Sequence, residues 1–591
     1  MERTSNRTLQ SRPARLTAAA LTFVAAALLL LAAAGAAHAA VWVIPATDRA
    51  FPTTQATARQ LAAPAIKLDA AENEYEGAQV VLNGVRDVTF TWSSDSDPLI
   101  AQNTIVDQVY YVNVTQPTSN LHASPGEYPD PLVPRSFGVS LSVPNETTSF
   151  YLLTHVPYTS TAAGDHTATL IVQSGQDAPL EIPFSLHVWP FGWAQLSTRT
   201  GFALNQRALQ LSLGDASRRV WMNVVERRKL LLNTYRMLSQ HGISSVAPVE
   251  LPRVSDSGHF DSQAYAATLS PYLDAGGLDM SATRIPWVRW FPWRFQSAYS
   301  ASSARLSTYL TELCAMYKQH GWQDKAYAYI MDETTKHSEE LAAQSYARVL
   351  HAASAKSGYR IKFLLTDDPR PRSLGGVKEA NGFLNDDVDI WGVRYFYFFG
   401  RIPALRQQQA AGKEIWWYTY SNGQVAKIPN YVIEKPNTDQ RVWGWLMEQW
   451  NVDGLMNWGL NEWFKPNTGS WRDPYQDTLS YHRVANANGD CSLIYPGYYP
   501  RYGLNDPYAA PVSSLRLEAL RDGLEDREYL RIAKTLPGGA AVVAKALALI
   551  TKFPYPVVQK NVFNFPKYSN DPAAYENARL TVADFIEAQQ Q

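Results

Sequence analysis

The chain has 591 residues and a formal net charge of −1, with 53 basic and 54 acidic side chains. This balance gives no electrostatic reason to expect a nucleic-acid partner or an anionic membrane surface. The length exceeds what one hydrophobic core needs, so two or three domains are expected. The 18 Trp, 32 Tyr and 21 Phe indicate either a large aromatic core or a carbohydrate-binding surface, because aromatic faces stack on the C–H faces of sugar rings.

Residues 1–39 have the pattern of a secretory signal peptide. Arginines precede an apolar run from Leu16 to Ala34, and the small-residue site Ala37-His38-Ala39 follows. We expect cleavage after Ala39 and export to the periplasm or the extracellular space. The alternative is an uncleaved anchor, since the apolar run is only slightly shorter than a membrane span. No later segment is apolar for long enough to cross a bilayer, so no span is expected in the mature chain.

Residues 40–192 carry short β-type runs separated by turn residues, for example Val106 to Val114 and Ile182 to Val188. Several of these runs alternate polar with apolar residues, as half-buried strands do. This segment therefore predicts a β-sandwich domain.

Residues 193–510 alternate β runs with helical stretches, and this alternation predicts a (β/α)8 TIM-like catalytic barrel. The last segment, residues 511–591, predicts helices packed on the barrel, the first of them capped by Ser513-Ser514. The whole chain is thus expected to be multidomain. The predicted barrel strands are Thr200 to Leu204, Ser244 to Leu251, Thr283 to Trp290, Ala326 to Met331, Arg360 to Thr366, Val388 to Tyr395, Glu414 to Tyr420 and Gly454 to Leu460.

Two adjacent acids, Asp332 and Glu333, directly follow the fourth predicted barrel strand. Active sites of such barrels lie at the carboxyl ends of the strands. Exclusion from water raises the pKa of a carboxyl group, and a general acid that protonates a departing glycosidic oxygen needs such a shift. The pair therefore indicates a glycosidase centre. The alternative is that both acids only cap the next helix.

The second carboxylate of an ordinary retaining glycosidase commonly follows strand seven. Here that strand ends in Ser421-Asn422-Gly423, without an acid. The absence favours substrate-assisted catalysis, in which the 2-acetamido oxygen of the sugar attacks the anomeric carbon. Glu333 would then be the general acid and base, and Asp332 would hold the acetamido N–H. The rival second carboxylates are Asp367 or Asp368 after strand five and Glu462 after strand eight.

Several stretches together resemble glycoside hydrolase family 123, the β-N-acetylgalactosaminidases, and the wider set of secreted proteins that carry the domain of unknown function 4091. The resemblance covers nearly all of the mature chain and rests on these motifs: Asn73-Glu74-Tyr75-Glu76-Gly77-Ala78-Gln79, Ala163-Gly164-Asp165-His166, Met331-Asp332-Glu333, Asn457-Trp458-Gly459-Leu460-Asn461-Glu462-Trp463, Asp473-Pro474-Tyr475, Gly489-Asp490, Tyr495-Pro496-Gly497 and the run from Leu515 to Asp526.

The resemblance implies a β-sandwich, a catalytic barrel and retaining hydrolysis of a β-N-acetylhexosaminide, GalNAc-like, with Asp332 and Glu333 as the catalytic pair. Thr334 stands where relatives often have Pro. The charged pair Arg521-Asp522 is expected to lie on a helix surface or to tie that helix to the barrel.

Other strand-end residues are candidates for substrate binding. No paired-ligand spacing is present, so we assign no metal and no cofactor. Cys314 and Cys491 can form one disulfide, but their spacing does not decide this. The oligomeric state is also open. The substrate-binding candidates are Asn205, Arg289, Trp290, Asp367, Arg394, Tyr395, Tyr397, Tyr418, Asn461, Glu462 and Trp463.

Three functions therefore compete. The first is the substrate-assisted hexosaminidase. The second is a barrel glycosidase for a sugar without the acetamido group, pairing Glu333 with Asp367 or Glu462; the separation of the carboxyl groups would discriminate a nucleophile from an inverting base. The third is an exported carbohydrate-binding or envelope protein without catalysis.

Overall fold

A computed structural model describes most of residues 40–590. The predicted signal peptide, residues 1–39, and the C-terminal residue lie outside this description. Within 40–590, the description leaves out residues 86, 160–161, 176, 214–222, 246–250, 287–303, 370–372, 375–376, 379–382, 422–424, 466–467, 482–485, 552–557, 560–561 and 564.

The N-terminal part consists of two five-stranded sheets, in the orders β1-β3-β8-β5-β6 and β2-β10-β9-β4-β7. One apolar cluster contains side chains from both, such as Val80 and Phe150 of the first sheet and Leu170 and Phe184 of the second. The classification as a sandwich stays a prediction. The strands are β1 (Ala40–Pro45), β2 (Ile66–Glu72), β3 (Tyr75–Asn83), β4 (Asp87–Trp92), β5 (Thr104–Val114), β6 (Gly126–Arg135), β7 (Leu141–Ser142), β8 (Thr148–His155), β9 (Gly164–Ser174) and β10 (Leu180–Gly192), with the short helices α1 (Ala58–Ala62) and α2 (Pro98–Asn103).

The central part contains a seven-stranded parallel sheet that is nearly closed. Its strands are β11 (Arg199–Phe202), β12 (Thr283–Arg284), β13 (Ala326–Tyr329), β14 (Lys362–Leu365), β17 (Ile390–Arg394), β18 (Glu414–Tyr418) and β19 (Gly454–Asn457), in the order β11-β19-β18-β17-β14-β13-β12. The edge strand β11 bridges to Ser245 in parallel. The hydroxyl of the preceding Ser244 accepts a hydrogen bond from the Ala282 N–H, beside β12, at 3.2 Å.

The second predicted barrel strand, Ser244 to Leu251, therefore begins between the two edge strands, β11 and β12. Part of this predicted strand lies outside the described residues. The eight-stranded closure stays a prediction for that reason. The described helices of this part are α3 (Gln206–Leu211), α4 (Val224–Gln240), α5 (Ser262–Leu273), α6 (Ala304–Gln319), α7 (His337–Ala355), α8 (Tyr395–Phe398), α9 (Ile402–Ala410) and α10 (Thr438–Gln449), and the short hairpins are β15 (Ser373–Leu374) with β16 (Val377–Lys378) and β20 (Leu479–Tyr481) with β21 (Ala487–Asn488).

The inside of the seven-stranded sheet is filled by side chains. Tyr327, Trp416 and Met456 belong to one buried cluster there. Trp416 requires a neighbour without a side chain, because a Cβ on Gly454 would lie 2.5 Å from two of its ring carbons. This packed interior directs polar chemistry to the carboxyl ends of the strands.

The C-terminal part is helical, as predicted. It contains α11 (Leu515–Thr535), α12 (Gly539–Ala546), α13 (Pro572–Ala588) and the hairpin of β22 (Val558–Gln559) with β23 (Val562–Phe563). Ser514 caps α11 by accepting from the Leu517 N–H at 3.2 Å. The prediction that Arg521 and Asp522 lie on a helix surface is wrong, because both side chains are buried.

Helix α11 connects the three parts through buried ion pairs. Arg516 donates to both carboxylate oxygens of Asp130 on β6, at 2.8 and 2.7 Å. Arg441 of α10 donates to both oxygens of Asp526, at 2.7 and 2.9 Å. A buried charge left without its partner is strongly destabilising. Removing either arginine would therefore loosen the contact between α11 and its neighbours.

Cys314 and Cys491 are both buried free thiols, so no disulfide joins them. Across the described ranges, no helix combines the length and the apolar character that crossing a membrane requires.

Candidate active site

The acid pair lies where β13 and β14 end side by side. The Thr366 hydroxyl, directly after β14, donates to Asp332 Oδ1 at 3.0 Å. The Thr366 hydroxyl oxygen in turn accepts the Glu333 N–H at 2.8 Å. A buried side chain on the neighbouring strand thus fixes the position of both acids. Sequence reasoning did not identify Thr366, because only the strand pairing brings it to the pair.

Asp332 is anchored through one carboxylate oxygen. Tyr329 donates its hydroxyl proton to Oδ1 at 2.8 Å. Burial, and then the charge of Asp332, raise the pKa of Tyr329 well above its usual value, so the phenol stays a neutral donor. Asp332 is exposed, and within the described part of the chain its Oδ2 has no protein partner. An anchored carboxylate with one oxygen directed to solvent can accept an N–H from a ligand.

Glu333 is held in an unusual backbone conformation. Its φ is +44°, in the left-handed region that non-glycine residues rarely adopt. Such strain persists only where surrounding contacts fix it, and it clusters at functional sites. Those contacts are the Thr366 hydroxyl on its N–H and two donors on its side chain, Arg394 and Tyr418.

Arg394 ends β17 and Tyr418 ends β18. The Arg394 Nε donates to Glu333 Oε1 at 2.8 Å, and its Nη2 donates to Oε2. The Tyr418 hydroxyl donates to Oε1 at 2.6 Å. Burial, and then the negative charge of Glu333, raise the pKa of Tyr418 well above its usual value. Glu333 thus accepts three hydrogen bonds from two strand ends.

Aromatic rings surround the Arg394 guanidinium. Its central carbon lies 5.3 Å from the ring centre of Tyr420 and 5.6 Å from that of Tyr397. A guanidinium over aromatic faces is stabilised by the ring quadrupoles. Arg394, Tyr397 and Tyr418 were all sequence candidates for substrate binding, and the structure brings them together around Glu333. Their contact with substrate stays a prediction.

The candidates after strands one and eight form a second polar group. Asn205 and Asn461 are tied by two hydrogen bonds, from the Asn205 N–H to the Asn461 side chain at 2.7 Å and from the Asn461 amide to the Asn205 carbonyl at 3.0 Å. Asn461 is fully buried, which indicates a structural tie. The Asn205 amide nitrogen lies 3.4 Å from Glu462 Oε2. Burial raises the pKa of Glu462, partly opposed by Asn205 and by the charge of Arg472.

The other proposed carboxylates after strand five are engaged by protein groups. Asp367 accepts the Thr334 hydroxyl at 2.5 Å and the Asp368 N–H at 2.8 Å. Asp368 is buried and lies 3.3 Å from the Arg401 guanidinium. Both carboxylates are therefore held in place by neighbours.

Two predicted pocket residues pack in the core instead. Tyr395 is fully buried and packs edge to face against Trp417 and Trp443. Trp463 is also fully buried, and its indole N–H donates to the Ile494 carbonyl at 3.2 Å. A sugar cannot contact either side chain in this structure. Two further candidates, Arg289 and Trp290, lie outside the described residues.

Trp458 is an aromatic candidate that the analysis of strand ends missed. It directly follows β19 at the carboxyl end of the sheet, and 39% of its surface is exposed. Among the described residues, no group of three or more His, Cys, Asp or Glu side chains could hold a metal ion.

A comparison with protein families matches residues 293–533 to the model described as glycoside hydrolase 123, catalytic domain. The matched region contains Asp332, Glu333, Arg394, Tyr418 and Trp458. The protein is therefore a glycoside hydrolase, which removes the alternative of a non-catalytic binding protein. Residues 293–533 are similar to the catalytic domain of glycoside hydrolase family 123.

One solved structure shares the overall fold of this chain. A family 123 glycoside hydrolase from Clostridium perfringens, studied for glycolipid glycan hydrolysis, has a TM-score of 0.62 and 14% identity, over 93% of this chain and 97% of its own. A family 39 glycoside hydrolase from Bacteroides cellulosilyticus has a TM-score of 0.30 and 9% identity over 77% and 81% of the two chains, too low to support an argument. No curated protein sequence matches the chain.

Proposed function

We propose that the enzyme is an exported, retaining hydrolase of β-N-acetylhexosaminides, GalNAc-like, that uses the 2-acetamido group of its substrate as the nucleophile. The observation that carries this proposal is the pair itself: Asp332, next to Glu333, is anchored through Oδ1, and its Oδ2 has no partner among the residues that the structure describes. The residues after β18, Thr419 to Ser421, include no acid. The glycolipid glycan hydrolysis named for the Clostridium perfringens enzyme is consistent with an acetamido sugar. Export rests on the signal-peptide pattern of residues 1–39.

In the first step, Glu333 gives its proton to the glycosidic oxygen, and the bond from that oxygen to the anomeric carbon breaks. The acetamido oxygen forms a new bond to the anomeric carbon, giving an oxazolinium ion. Asp332 accepts the N–H and balances the positive charge that develops on the ring nitrogen. In the second step, Glu333 takes a proton from a water molecule as that water attacks the anomeric carbon. The bond from the acetamido oxygen to the anomeric carbon breaks, which opens the oxazolinium ring and restores the acetamido group. Two displacements give retention of configuration.

The first test is Glu333→Gln, which keeps the shape but cannot transfer a proton. We expect a loss of roughly 10²–10⁴ in rate on glycosides with poor leaving groups. Activated aryl glycosides should lose less in the first step, because their leaving groups need no proton. Full activity of Glu333→Gln on a natural glycoside would show that the acid is assigned wrongly.

The second test concerns the nucleophile. A thiazoline analogue of the oxazolinium ion should inhibit competitively, because it resembles the charged intermediate. Asp332→Asn should weaken this inhibition, since the anion that pairs with the ring nitrogen is gone. A 2-hydroxy glycoside with the same leaving group should turn over very slowly. Rapid hydrolysis of the 2-hydroxy glycoside would contradict the substrate-assisted mechanism while leaving Glu333 as the acid.

A second candidate mechanism pairs Glu333 with Glu462 as an ordinary carboxylate dyad. It is favoured by the burial that raises the pKa of Glu462, a property of catalytic carboxyls. Glu462→Gln distinguishes the two. Under the substrate-assisted mechanism this variant should stay within about tenfold of the wild type, whereas a dyad predicts a loss as large as that of Glu333→Gln.

A further inference from the structure

The contacts of Glu333 are those that an ionised carboxylate makes. Both of its oxygens accept from the Arg394 guanidinium, and Oε1 also accepts from Tyr418 at 2.6 Å. A bidentate contact with a guanidinium is charge-assisted, so it favours the ionised carboxylate over the neutral acid. The proposed proton donor is therefore held in the form that has no proton to give.

In the part of the chain that the structure describes, Glu333 is the one anion that contacts the Arg394 guanidinium. The other neighbours of the guanidinium there are the Tyr418 hydroxyl at 3.0 Å and the rings of Phe396, Tyr397 and Tyr420. Only 21% of its side chain is exposed. A half-buried guanidinium that loses its carboxylate is left with an uncompensated charge. The ion pair must open before Glu333 can act as an acid, and the cation must then find another partner.

We propose that the substrate supplies this partner as an anionic oxygen group, a sulfate ester or a carboxylate, carried by the bound sugar or by its neighbour. This inference rests on the proposed function, since it concerns how the acid of that site is released. The planar fork of an arginine binds two oxygens of such a group as it binds those of Glu333. On binding, the anion takes the place of the Glu333 carboxylate at Arg394. Glu333 then takes up one proton from solvent and becomes the acid of the first step.

The consequence for specificity is direct. The hydroxyl and acetamido groups of a neutral sugar can offer hydrogen bonds to Arg394 but no charge, so they compete poorly with Glu333. An anionic sugar both binds at Arg394 and releases the proton donor. The enzyme should therefore prefer anionic acetamido sugars over neutral ones, and the preference should require Arg394.

Binding of free sugars tests this without any turnover. Calorimetry would compare N-acetylgalactosamine with its 4-sulfate and its 6-sulfate, and glucuronate would serve as the carboxylate probe. For the wild type we expect at least one anionic sugar to bind roughly tenfold more tightly than the neutral sugar. Arg394→Met should reduce this preference to within about twofold, whereas Arg236→Met, which removes an exposed arginine of α4, should leave it unchanged.

Glu333→Gln gives the sharper result, because it frees Arg394 from its internal anion while keeping the shape. The preference for the anionic sugar should rise about another tenfold in this variant. Wild-type binding of the anionic sugar, measured in buffers of different ionisation enthalpy, should take up about one proton, and Glu333→Gln should take up none. A merely structural ion pair would give neither effect.

Each result of these binding experiments either supports or overturns the proposal. A preference for only the sulfates or only glucuronate identifies the anionic group and supports the proposal. Equal affinity for the neutral and all anionic sugars, or a preference that survives Arg394→Met or falls in Glu333→Gln, overturns it. None of these results depends on hydrolysis, so a failure here leaves the proposed function to be judged by its own assays on acetamido and hydroxy glycosides.

Discussion

Replacing Gly444 with Ala tests a close backbone contact between α10 and α11. A Cβ on Gly444 would overlap the carbonyl oxygen of Gly523 and lie 2.6 Å from its carbonyl carbon. These are backbone atoms and cannot rotate away, so the helices must separate. Overpacking a core with one methyl group costs about 1–3 kcal/mol where side chains can adjust. Separation would also stretch the buried pair of Arg441 and Asp526, so we expect about 4 kcal/mol in total.

Thermal unfolding followed by circular dichroism would measure this cost. Gly444→Ala should lower the midpoint by about 3–4 °C, because unfolding a unit of about 550 residues has an entropy of about 1.2 kcal/mol/K. Gly276→Ala is the matched control, because a Cβ there meets nothing within 4 Å, and it should melt with the wild type. If Gly444→Ala melted within about 1 °C of the wild type, the argument that backbone contact sets this helix spacing would be refuted.

Three further predictions concern the site and its surroundings. Tyr418→Phe removes a donor to Glu333 and should lower kcat/KM by about tenfold on a glycoside with a poor leaving group, measured beside the activated aryl glycoside. Trp458→Ala should raise KM by about tenfold with little change in kcat if the exposed ring stacks on sugar, and an unchanged KM would exclude that role. Burial raises the pKa of Asp490 to about 6, so Asp490 should contribute a fall of about 3 kcal/mol in the free energy of unfolding as pH rises from about 4 to about 6, because the unfolded chain ionises first. Asp490→Asn, followed by urea unfolding across this range, should remove this contribution and leave that of Asp522, whose pKa burial also raises to about 6.

The sequence predicted the elements that carry strong periodic patterns. The strand predicted from Glu414 to Tyr420 is observed as Glu414–Tyr418, and the helix predicted to be capped by Ser513-Ser514 begins at Leu515. The position of the acid pair shortly after a parallel strand could also be predicted, since β13 ends at Tyr329, while the catalytic role of the pair stays a prediction. These inferences about elements and positions need only local sequence.

The sequence did not show which of two adjacent candidate side chains faces the site and which faces the core. Arg394 and Tyr395 are adjacent, yet one contacts Glu333 and the other packs in the core, and Glu462 and Trp463 differ in the same way. Tyr395 already belongs to α8, and Glu462 and Trp463 lie beyond the end of β19. The backbone turn after each strand therefore decides which of two adjacent residues faces the site, and the local sequence does not indicate that turn. The ion pair of Arg394 with Glu333 joins residues 61 positions apart, and nothing in either local sequence indicates it.

The burial of α11 has a consequence for dissecting this enzyme. The family match ends at residue 533, within the last turn of that helix. Several charges of the helix, however, are compensated by residues far outside the matched region, such as Asp130 of β6 for Arg516. A fragment cut at the ends of the matched region would lack the residues that neutralise these charges. The charges would stay buried without partners, which would destabilise the fragment. The unit that can be cloned, exchanged or inherited intact is therefore larger than the catalytic region, and it includes the N-terminal sheets.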